Sequence, residues 1–234
     1  FGNDSYDEVG AGTGPIAGPA ASYSFKVFGG TANVYGGTFG KADSSGSGAF
    51  VMGNSQTDLA NANIYGGTFV VGGQAGFSVF DYANISFAPR GGQGGLGSDI
   101  SVSGYNVGMA IENSEKYVSI NIAGGEFYSQ NTKGSCDGIW YSNSNARLVV
   151  SGGIFTGSAR SGIYFEKAPE SGRVSISGGQ FNGVRGGGAL GTSNPDLNVG
   201  NIVASGHNLY SETTAIDSWR LVSGLTSYTK LTVS

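Results

Sequence analysis

A four-residue phrase, Gly-Gly-x-Phe, recurs five times in this chain of 234 residues and limits its possible folds more than any other feature. Each copy follows a short segment in which apolar and small or polar residues alternate. Such alternation predicts a strand with one buried face, and the glycine pair predicts a corner, because glycine adopts positive φ angles cheaply. The five copies occupy residues 36–39, 66–69, 124–127, 152–155 and 178–181.

A second strand pattern lies between successive corners and starts at a glycine. Two strand ladders that share one period of roughly 24–32 residues predict a coil that returns to the same place on every turn. An antiparallel meander instead predicts short hairpin turns between neighbouring strands, whereas this chain repeats a unit of several strands. The leading glycines are Gly48, Gly76, Gly108, Gly138, Gly162 and Gly188.

Weaker copies extend the repeat toward the C-terminus. Residues 102–107 form one, with Val107 in the place of the phenylalanine, and residues 204–209 form another, with Leu209 in that place. Residues 214–217 resemble a last second strand without its glycine, and alternation from residue 221 to 234 predicts a final strand.

With this pattern, the sequence resembles the right-handed parallel β-helix proteins, a broad group with pectate-lyase-like folds, phage tailspikes and bacterial surface adhesins. The resemblance covers about residues 22–222 and implies an all-β, single-stranded right-handed parallel β-helix (solenoid). We expect seven to eight turns over residues 22–234, a loop insertion near 83–99, and an N-terminal arm or irregular first coil at 1–21. Columns of like side chains, such as Phe127, Phe155 and Phe181, should form the core.

Composition narrows the classes of function. Glycine accounts for 44 residues, a proportion that indicates disorder unless a repeat uses it, as happens here. A net charge of -4 without a basic stripe argues against nucleic-acid binding, and no apolar run is long enough for a membrane span. The single cysteine, Cys136, and the single histidine, His207, make no disulfide framework and no metal-ligand set, so we expect no metal and no cofactor.

The second strand should display alternate residues on an outer face. Trp140 and Tyr164 would be neighbours on successive turns, and with Phe50 and Phe80 they are candidates for binding a polysaccharide, a surface glycan or a protein partner. Loops that cover these residues, or a register slipped by one, are the alternatives. The predicted outer columns are Phe50, Ser78, Ala110, Trp140, Tyr164 and Leu190, and beside them Met52, Phe80, Glu112, Ser142, Glu166 and Thr192.

Two carboxylates of this face form the candidate catalytic pair. Glu112 and Glu166 should lie two turns apart, about 9–10 Å along the rod, at the outer limit of the spacing in inverting glycosidases. Any outward column also pairs acids by chance. For the arginines that precede strands, Arg160 among them, we expect a solvated role.

These features favour a non-catalytic extracellular structural or adhesive protein, secreted or at the cell surface in a mature form without signal peptide. It would bind glycans or partners on its side and self-associate through the β-helix ends into a filament, because open strand edges invite pairing. The alternative is a polysaccharide lyase or glycoside hydrolase that uses the outward face. A tailspike fragment remains open, and an ice-binding surface is disfavoured because threonine at Thr38 and Thr68 does not continue along its column.

Overall fold

The structure is a computed structural model that describes residues 6–9, 25–42, 48–89, 100–112 and 116–234. Most of the predicted N-terminal arm, residues 1–21, therefore lies outside the described residues. Short strands account for most of the regular structure, and two 3₁₀ helices, Val199–Asn201 and Val222–Leu225, lie near the C-terminus. The first ten strands are β1 (Tyr6–Val9), β2 (Phe25–Phe28), β3 (Gly30–Val34), β4 (Thr38–Lys41), β5 (Ala49–Met52), β6 (Ala60–Ile64), β7 (Gly67–Val71), β8 (Ala75–Val79), β9 (Ala83–Phe87) and β10 (Ile100–Gly104).

The chain forms three strands in each turn as far as β19. The remaining strands are β11 (Val107–Ile111), β12 (Val118–Ile122), β13 (Glu126–Ser129), β14 (Asp137–Tyr141), β15 (Arg147–Val150), β16 (Ile154–Thr156), β17 (Ile163–Phe165), β18 (Val174–Ile176), β19 (Gly179–Asn182), β20 (Leu190–Thr192), β21 (Leu209–Ser211), β22 (Thr214–Ile216) and β23 (Lys230–Val233). The chain is thus a parallel β-solenoid, as the repeat predicts.

Three sheets form the faces of the solenoid. Sheet I has the order β1-β3-β6-β9-β12-β15-β18, and sheet II has the order β2-β5-β8-β11-β14-β17-β20. Sheet III has the order β4-β7-β10-β13-β16-β19-β23-β21-β22. From β2 to β20 every neighbouring pair within a sheet is parallel, so equivalent residues stack from turn to turn.

The interior consists of the predicted columns of apolar side chains. In sheet III, Phe127 pairs with Phe155 and Phe155 pairs with Phe181, and all three are fully buried. Their rings stack with centroids 5.3 Å and 5.2 Å apart. In sheet II the buried column runs through Phe77, Met109, Ile139 and Ile163. Each such side chain contributes about 1.5–3 kcal/mol through burial, so the columns stabilise the rod together.

The glycine pair and the phenylalanine of the repeat belong to one packing unit. The second glycine of each copy has a φ between 105° and 119°, as at Gly153 and Gly179, a region that other residues rarely adopt. A Cβ on Gly153 would lie 3.3 Å from the Phe155 ring, and one on Gly179 would lie 3.3 Å from the Phe181 ring. The corner therefore needs glycine both for its backbone conformation and for the ring beneath it.

Two registers differ from those predicted. Val102, and not Val107, occupies the phenylalanine position in the third copy, because it pairs with Phe69 and Phe127, while Val107 begins β11. In the last copy of the second strand that has a leading glycine, the equivalent of that glycine is Ala189, since Ile163 follows Gly162 and pairs with Leu190. The predicted alignment on Gly188 is therefore wrong by one residue.

This one-residue shift in alignment changes the face of the strand on which Leu190 and Thr192 lie. Leu190 pairs with Ile163 and lies fully buried in the core, so it does not belong to the outer face. Thr192 pairs with Phe165, in an inward column. The residues that occupy their predicted outer positions are Gly191, which pairs with Tyr164, and Ser193, which donates its N–H to the Phe165 carbonyl.

The C-terminal segment covers one end of the solenoid. Strand β23 runs antiparallel and inserts between β19 and β21, so that Leu231 pairs with Phe181 and Val233 pairs with both Gly179 and Leu209. Residues 214–217 do not form another solenoid rung, because β22 is the antiparallel partner of β21. The parallel part of the solenoid is shorter than the predicted seven to eight turns, since these last segments form a cap and add no parallel turns.

The loop prediction near residues 83–99 starts too early. Residues 83–87 form β9, whose Ile85 and Phe87 are fully buried in the core between β6 and β12. Residues 90–99 lie outside the described residues. Asn84 and Ser86 alternate with the buried residues and point outward, which explains why this segment carries polar residues without being a loop.

Candidate functional site

A groove of about 460 Å³ lies on the outer face of sheet II. We call it the Trp140 groove, after the aromatic residue at its centre. Strands β8, β11, β14 and β17 carry its floor, and the loops that precede β11, β14 and β17 carry one wall. Its lining residues are Gln74, Ala75, Asn106, Val107, Ala110, Glu112, Ser135, Trp140, Arg160, Tyr164, Glu166 and Ser193.

Small residues on the preceding turns give Trp140 its position. In the outer column of sheet II, Ala110 pairs with Trp140, and Trp140 pairs with Tyr164. Trp140 is half-buried and packs against an apolar cluster of Ala75, Val107 and Ala110. Because these side chains are short, the indole can lie over the preceding turn and still contact solvent, which suits a large ring that a ligand can stack on.

Arg160 covers the Tyr164 ring and is itself fixed by a buried carboxylate. The Arg160 guanidinium carbon lies 3.4 Å from the Tyr164 ring centroid, in a cation–π contact. Its Nε donates to both Asp137 carboxylate oxygens at 2.9 Å and 3.1 Å, and its Nη2 also donates to Asp137 Oδ2. The Ser161 N–H donates to Asp137 Oδ1 at 3.0 Å. Asp137 has no exposed surface, so this network holds Arg160, and through it Tyr164, in one position.

Burial raises the pKa of the Asp137 carboxyl, because desolvation disfavours its charged form. The hydrogen bonds and charge of Arg160, and the Ser161 N–H, oppose that rise. A carboxylate that is bound on both oxygens in this way exchanges its lost hydration for charge-assisted hydrogen bonds. Asp137 therefore positions Arg160 and is not a surface acid available to a ligand.

Gly191 provides the space in which Tyr164 lies. A Cβ at this position would clash with Ser161 Oγ and would lie 3.0 Å from Tyr164 Cδ2. Ser161 Oγ is itself held by a hydrogen bond of 3.0 Å to the Gly187 carbonyl. Any larger residue at this position would require the Ser161 side chain and the Tyr164 ring to shift.

Two carboxylates lie along the groove on turns that flank Trp140. Glu112 follows β11 and Glu166 follows β17, and the β14 rung separates them, so their backbones are about 9.5 Å apart. Glu112 is half-buried and Glu166 is exposed. Burial raises the pKa of the Glu112 carboxyl. Among the described residues neither side chain has a hydrogen-bond or ion-pair partner.

The structure brings four of the predicted site residues together: Trp140, Tyr164, Glu112 and Glu166 all line the groove. Phe50 and Phe80 do not line the groove: Phe50 lies on β5, and Phe80 directly follows β8. Phe50 is buried at 8% exposure and packs against Phe28 and Phe80, with centroids 5.2 Å and 4.7 Å away. The prediction of a continuous row of displayed aromatic residues is therefore wrong at Phe50, which its neighbours cover.

Sequence reasoning missed the pairing of Arg160 with Asp137, and it missed Gly191. The solvated role expected for Arg160 is wrong, because its guanidinium lies between Asp137 and Tyr164. One signal was available: Asp137 and Arg160 lie 23 residues apart, close to one period, and both come shortly before a second strand. Gly191 is missed because alignment on Gly188 is shifted by one residue and places Leu190 beside Tyr164.

A second concavity, of about 500 Å³, lies beside the C-terminal cap. Asp196 is the charged residue of its described lining, and no aromatic side chain contributes to that lining. The Trp140 groove is the better candidate site because its lining combines two aromatic side chains with several polar groups. Within the described segments no helix is long and apolar enough to cross a membrane, and no group of three or more side chains forms a metal-ligand set.

Comparisons of the chain with models of protein families, with curated proteins and with solved structures find no match. The geometry of the Trp140 groove, and of the solenoid that carries it, is therefore the basis for a function.

Proposed function

We propose that this protein is a non-catalytic β-solenoid that binds glycans in the Trp140 groove on its side. The observation that carries the proposal is the pair Trp140 and Tyr164, adjacent in register, with Tyr164 held in place by Arg160 and Asp137. The apolar face of a sugar ring stacks on such rings, and the fixed position of Tyr164 lowers the entropy lost on binding.

The polar lining supports a sugar ligand over an apolar one. Asn106 Nδ2 donates to Gln74 Oε1 at 2.9 Å, which leaves Asn106 Oδ1 as an acceptor and Gln74 Nε2 as a donor at the groove. Ser135 and Ser193 add hydroxyls that both donate and accept. A ring of hydroxyl groups finds partners of both kinds here, while an apolar ligand would leave them unpaired.

Isothermal titration calorimetry with four soluble probes tests this function. The probes are cellohexaose, the N-acetylglucosamine hexasaccharide, the glucosamine hexasaccharide and hexagalacturonate. We expect binding of at least one probe, and a loss of at least about tenfold in affinity for Trp140→Ala, because truncated aromatic anchors dominate such sites. Trp219→Ala is the matched control, since Trp219 is 70% exposed on the C-terminal cap. Absence of binding to all four probes, or equal loss in both variants, would contradict the proposal.

A second candidate function, cleavage of a glycan in the same groove, is favoured by the different surroundings of Glu112 and Glu166. Half-buried Glu112, with its raised pKa, has the character of a general acid, and exposed Glu166 that of a base or nucleophile. Their backbone separation of about 9.5 Å approaches the range of inverting glycosidases. A lyase would act on an acidic polysaccharide and leave unsaturated ends.

Product analysis distinguishes the two functions. Incubation with the probe that binds, followed by assays for reducing and unsaturated ends, should give no product if the protein only binds. Product that disappears in both Glu112→Gln and Glu166→Gln would establish the enzyme instead. Glu126→Gln is the control, because Glu126 begins β13 on sheet III.

We also propose that the protein acts outside the cell, secreted or at the surface. The low content of charged residues, 12%, and the polar Ser and Asn side chains on the solenoid support this location. Self-association through the ends is proposed for the N-terminal end alone, since β23 covers the edge of β19 at the other end. Electron microscopy that shows no rods longer than one molecule would contradict this self-association.

A further inference from the structure

The charges of the Trp140 groove are unbalanced. Glu112 and Glu166 both line it. Of the lining residues that the structure describes, Arg160 alone is cationic, and its guanidinium is already bound on two nitrogens by Asp137. A ligand in the groove therefore meets two carboxylates whose charge no described residue pairs.

We propose that the glycan bound in the Trp140 groove carries basic amino groups, as in a polymer of glucosamine, and that Glu112 and Glu166 bind these groups. This inference rests on the proposed glycan-binding function and adds the ligand class. An ammonium group donates three hydrogen bonds and carries the opposite charge, so it matches a carboxylate on both counts. A polyuronate would place its own carboxylates beside Glu112 and Glu166 and would be repelled.

The arrangement of the two carboxylates along the rod suits a polymer. Glu112 and Glu166 lie on either side of the Trp140 rung, two rungs apart at about 9.5 Å. A chain that stacks a ring on Trp140 therefore presents substituents of the neighbouring rings to the two acids. The half-buried position of Glu112 reduces screening by salt, so we expect it to contribute more to the preference than exposed Glu166.

The Arg160–Asp137 network and the aromatic rings do not by themselves select a glycan with amino groups. Arg160 lies over the Tyr164 ring, and its Nε and Nη2 donate to Asp137, so the edge of the guanidinium that could pair with a ligand carboxylate on two nitrogens is already occupied. A free guanidinium at this place would have favoured acidic sugars through bidentate pairing. Because Asp137 takes that pairing, the groove is left with the negative potential of its two glutamates.

The test compares two probes that differ in charge but share ring and linkage: the glucosamine hexasaccharide and its N-acetylated form. Calorimetry at neutral or slightly acidic pH and low salt should give the amine form at least about tenfold tighter binding, the lower end of what a hydrogen bond to a charged group contributes. The preference should shrink as salt is raised. The double variant Glu112→Gln/Glu166→Gln should bind both probes alike, and Glu126→Gln should keep the preference.

The outcomes separate the two proposals. Equal affinity for the two forms, or tighter binding of hexagalacturonate, would overturn the amine preference and leave glycan binding in place. A preference that survives in the double variant would likewise overturn the role of the two glutamates. No binding of any probe would remove both proposals, and unchanged binding in Trp140→Ala would remove the groove as the site.

Discussion

At the scale of single residues, the Arg160–Asp137 pair has two roles that the rest of the groove depends on. Asp137 lies at the start of β14 with no exposed surface, and Arg160 lies in the loop before β17 on the next turn. The pair therefore ties two turns together and at the same time holds the guanidinium over Tyr164. Because Asp137 is buried, its partner determines whether its charge can be tolerated.

Replacement of Arg160 should destabilise the protein strongly. Arg160→Met leaves a buried carboxylate without its cation, and we expect the free energy of unfolding at neutral pH to fall by about 3 kcal/mol. Denaturant unfolding followed by circular dichroism measures this change. The control Arg147→Met, at an exposed arginine that donates to Asn121, should change stability by about 0.5 kcal/mol or less. A loss as small as that in Arg160→Met would contradict the role of the Arg160–Asp137 pair.

The loss in Arg160→Met should also depend on pH in a definite direction. Burial already raises the pKa of Asp137, and removal of Arg160 removes an influence that lowers it. A folded state that holds its proton to higher pH than the unfolded state loses stability as pH rises. We therefore expect the variant to be closest to the native protein below the ordinary Asp pKa of about 4 and most impaired at neutral pH. The same unfolding curves, repeated across this range, check it.

At the scale of elements, the stacked columns explain why very short strands suffice. Strands β16 and β17 have three residues each, too few for stability on their own. Each gains from hydrogen bonds to both neighbouring turns and from one or two fully buried side chains that continue a column. Stability of such a solenoid is therefore distributed over nearest-neighbour contacts between turns.

Loss of one ring from a column should disturb both of its neighbours. Phe155 is fully buried and stacks on Phe127 and Phe181, so Phe155→Ala should lower the free energy of unfolding by about 3–5 kcal/mol. The control Ile154→Ala lies on the same strand but points outward and is half-buried, and we expect it to cost about 1 kcal/mol or less. Thermal and denaturant unfolding measure both. Similar losses in the two variants would contradict the inward column.

The sequence predicts strands and corners correctly where the local residue pattern and the packing require the same residue types. Gly-Gly-x-Phe marks each corner because the glycine conformation and the phenylalanine ring require each other, as at Gly153 and Phe155. The prediction failed where the residue type changes at a fixed position of the repeat. Val102 replaces a phenylalanine and Ala189 replaces a glycine, so alignment on residue type moved to Val107 and Gly188 instead. A slip of one residue exchanges the inward and outward faces of a strand, so the prediction places Leu190 outward and misses Gly191.

The candidate site was predictable in part for the same reason. Trp140, Tyr164, Glu112 and Glu166 belong to turns whose register is regular, and their shared groove follows from the period alone. Arg160 lies in a loop, where the period does not fix the direction of a side chain. Its contact with Asp137 depends on the path of that loop, which alternation in the strands does not encode.

At the scale of the whole molecule, the two ends of the solenoid need different solutions, and the C-terminal end supplies its own. Alternation from residue 221 to 234 predicts strand but says nothing of direction, and the structure shows β23 antiparallel between β19 and β21. Val222, Leu225, Leu231 and Val233 lie buried in the core. The parallel stack thus ends against an antiparallel strand of the same chain, which removes an edge that invites pairing.

Removal of β23 should convert that closed end into an associating one. A protein truncated after Thr229 loses the partner of Gly179–Asn182 and uncovers Phe181, which pairs with Leu231 in the native chain. We expect it to form oligomers at micromolar concentration, measured by size exclusion with light scattering, while circular dichroism still shows β-structure. In the control Thr232→Ala an outward, half-buried side chain of β23 is shortened and the strand remains, so it should behave like the native protein. If the truncated protein keeps both the native mass and the native unfolding midpoint, β23 does not protect the edge of β19.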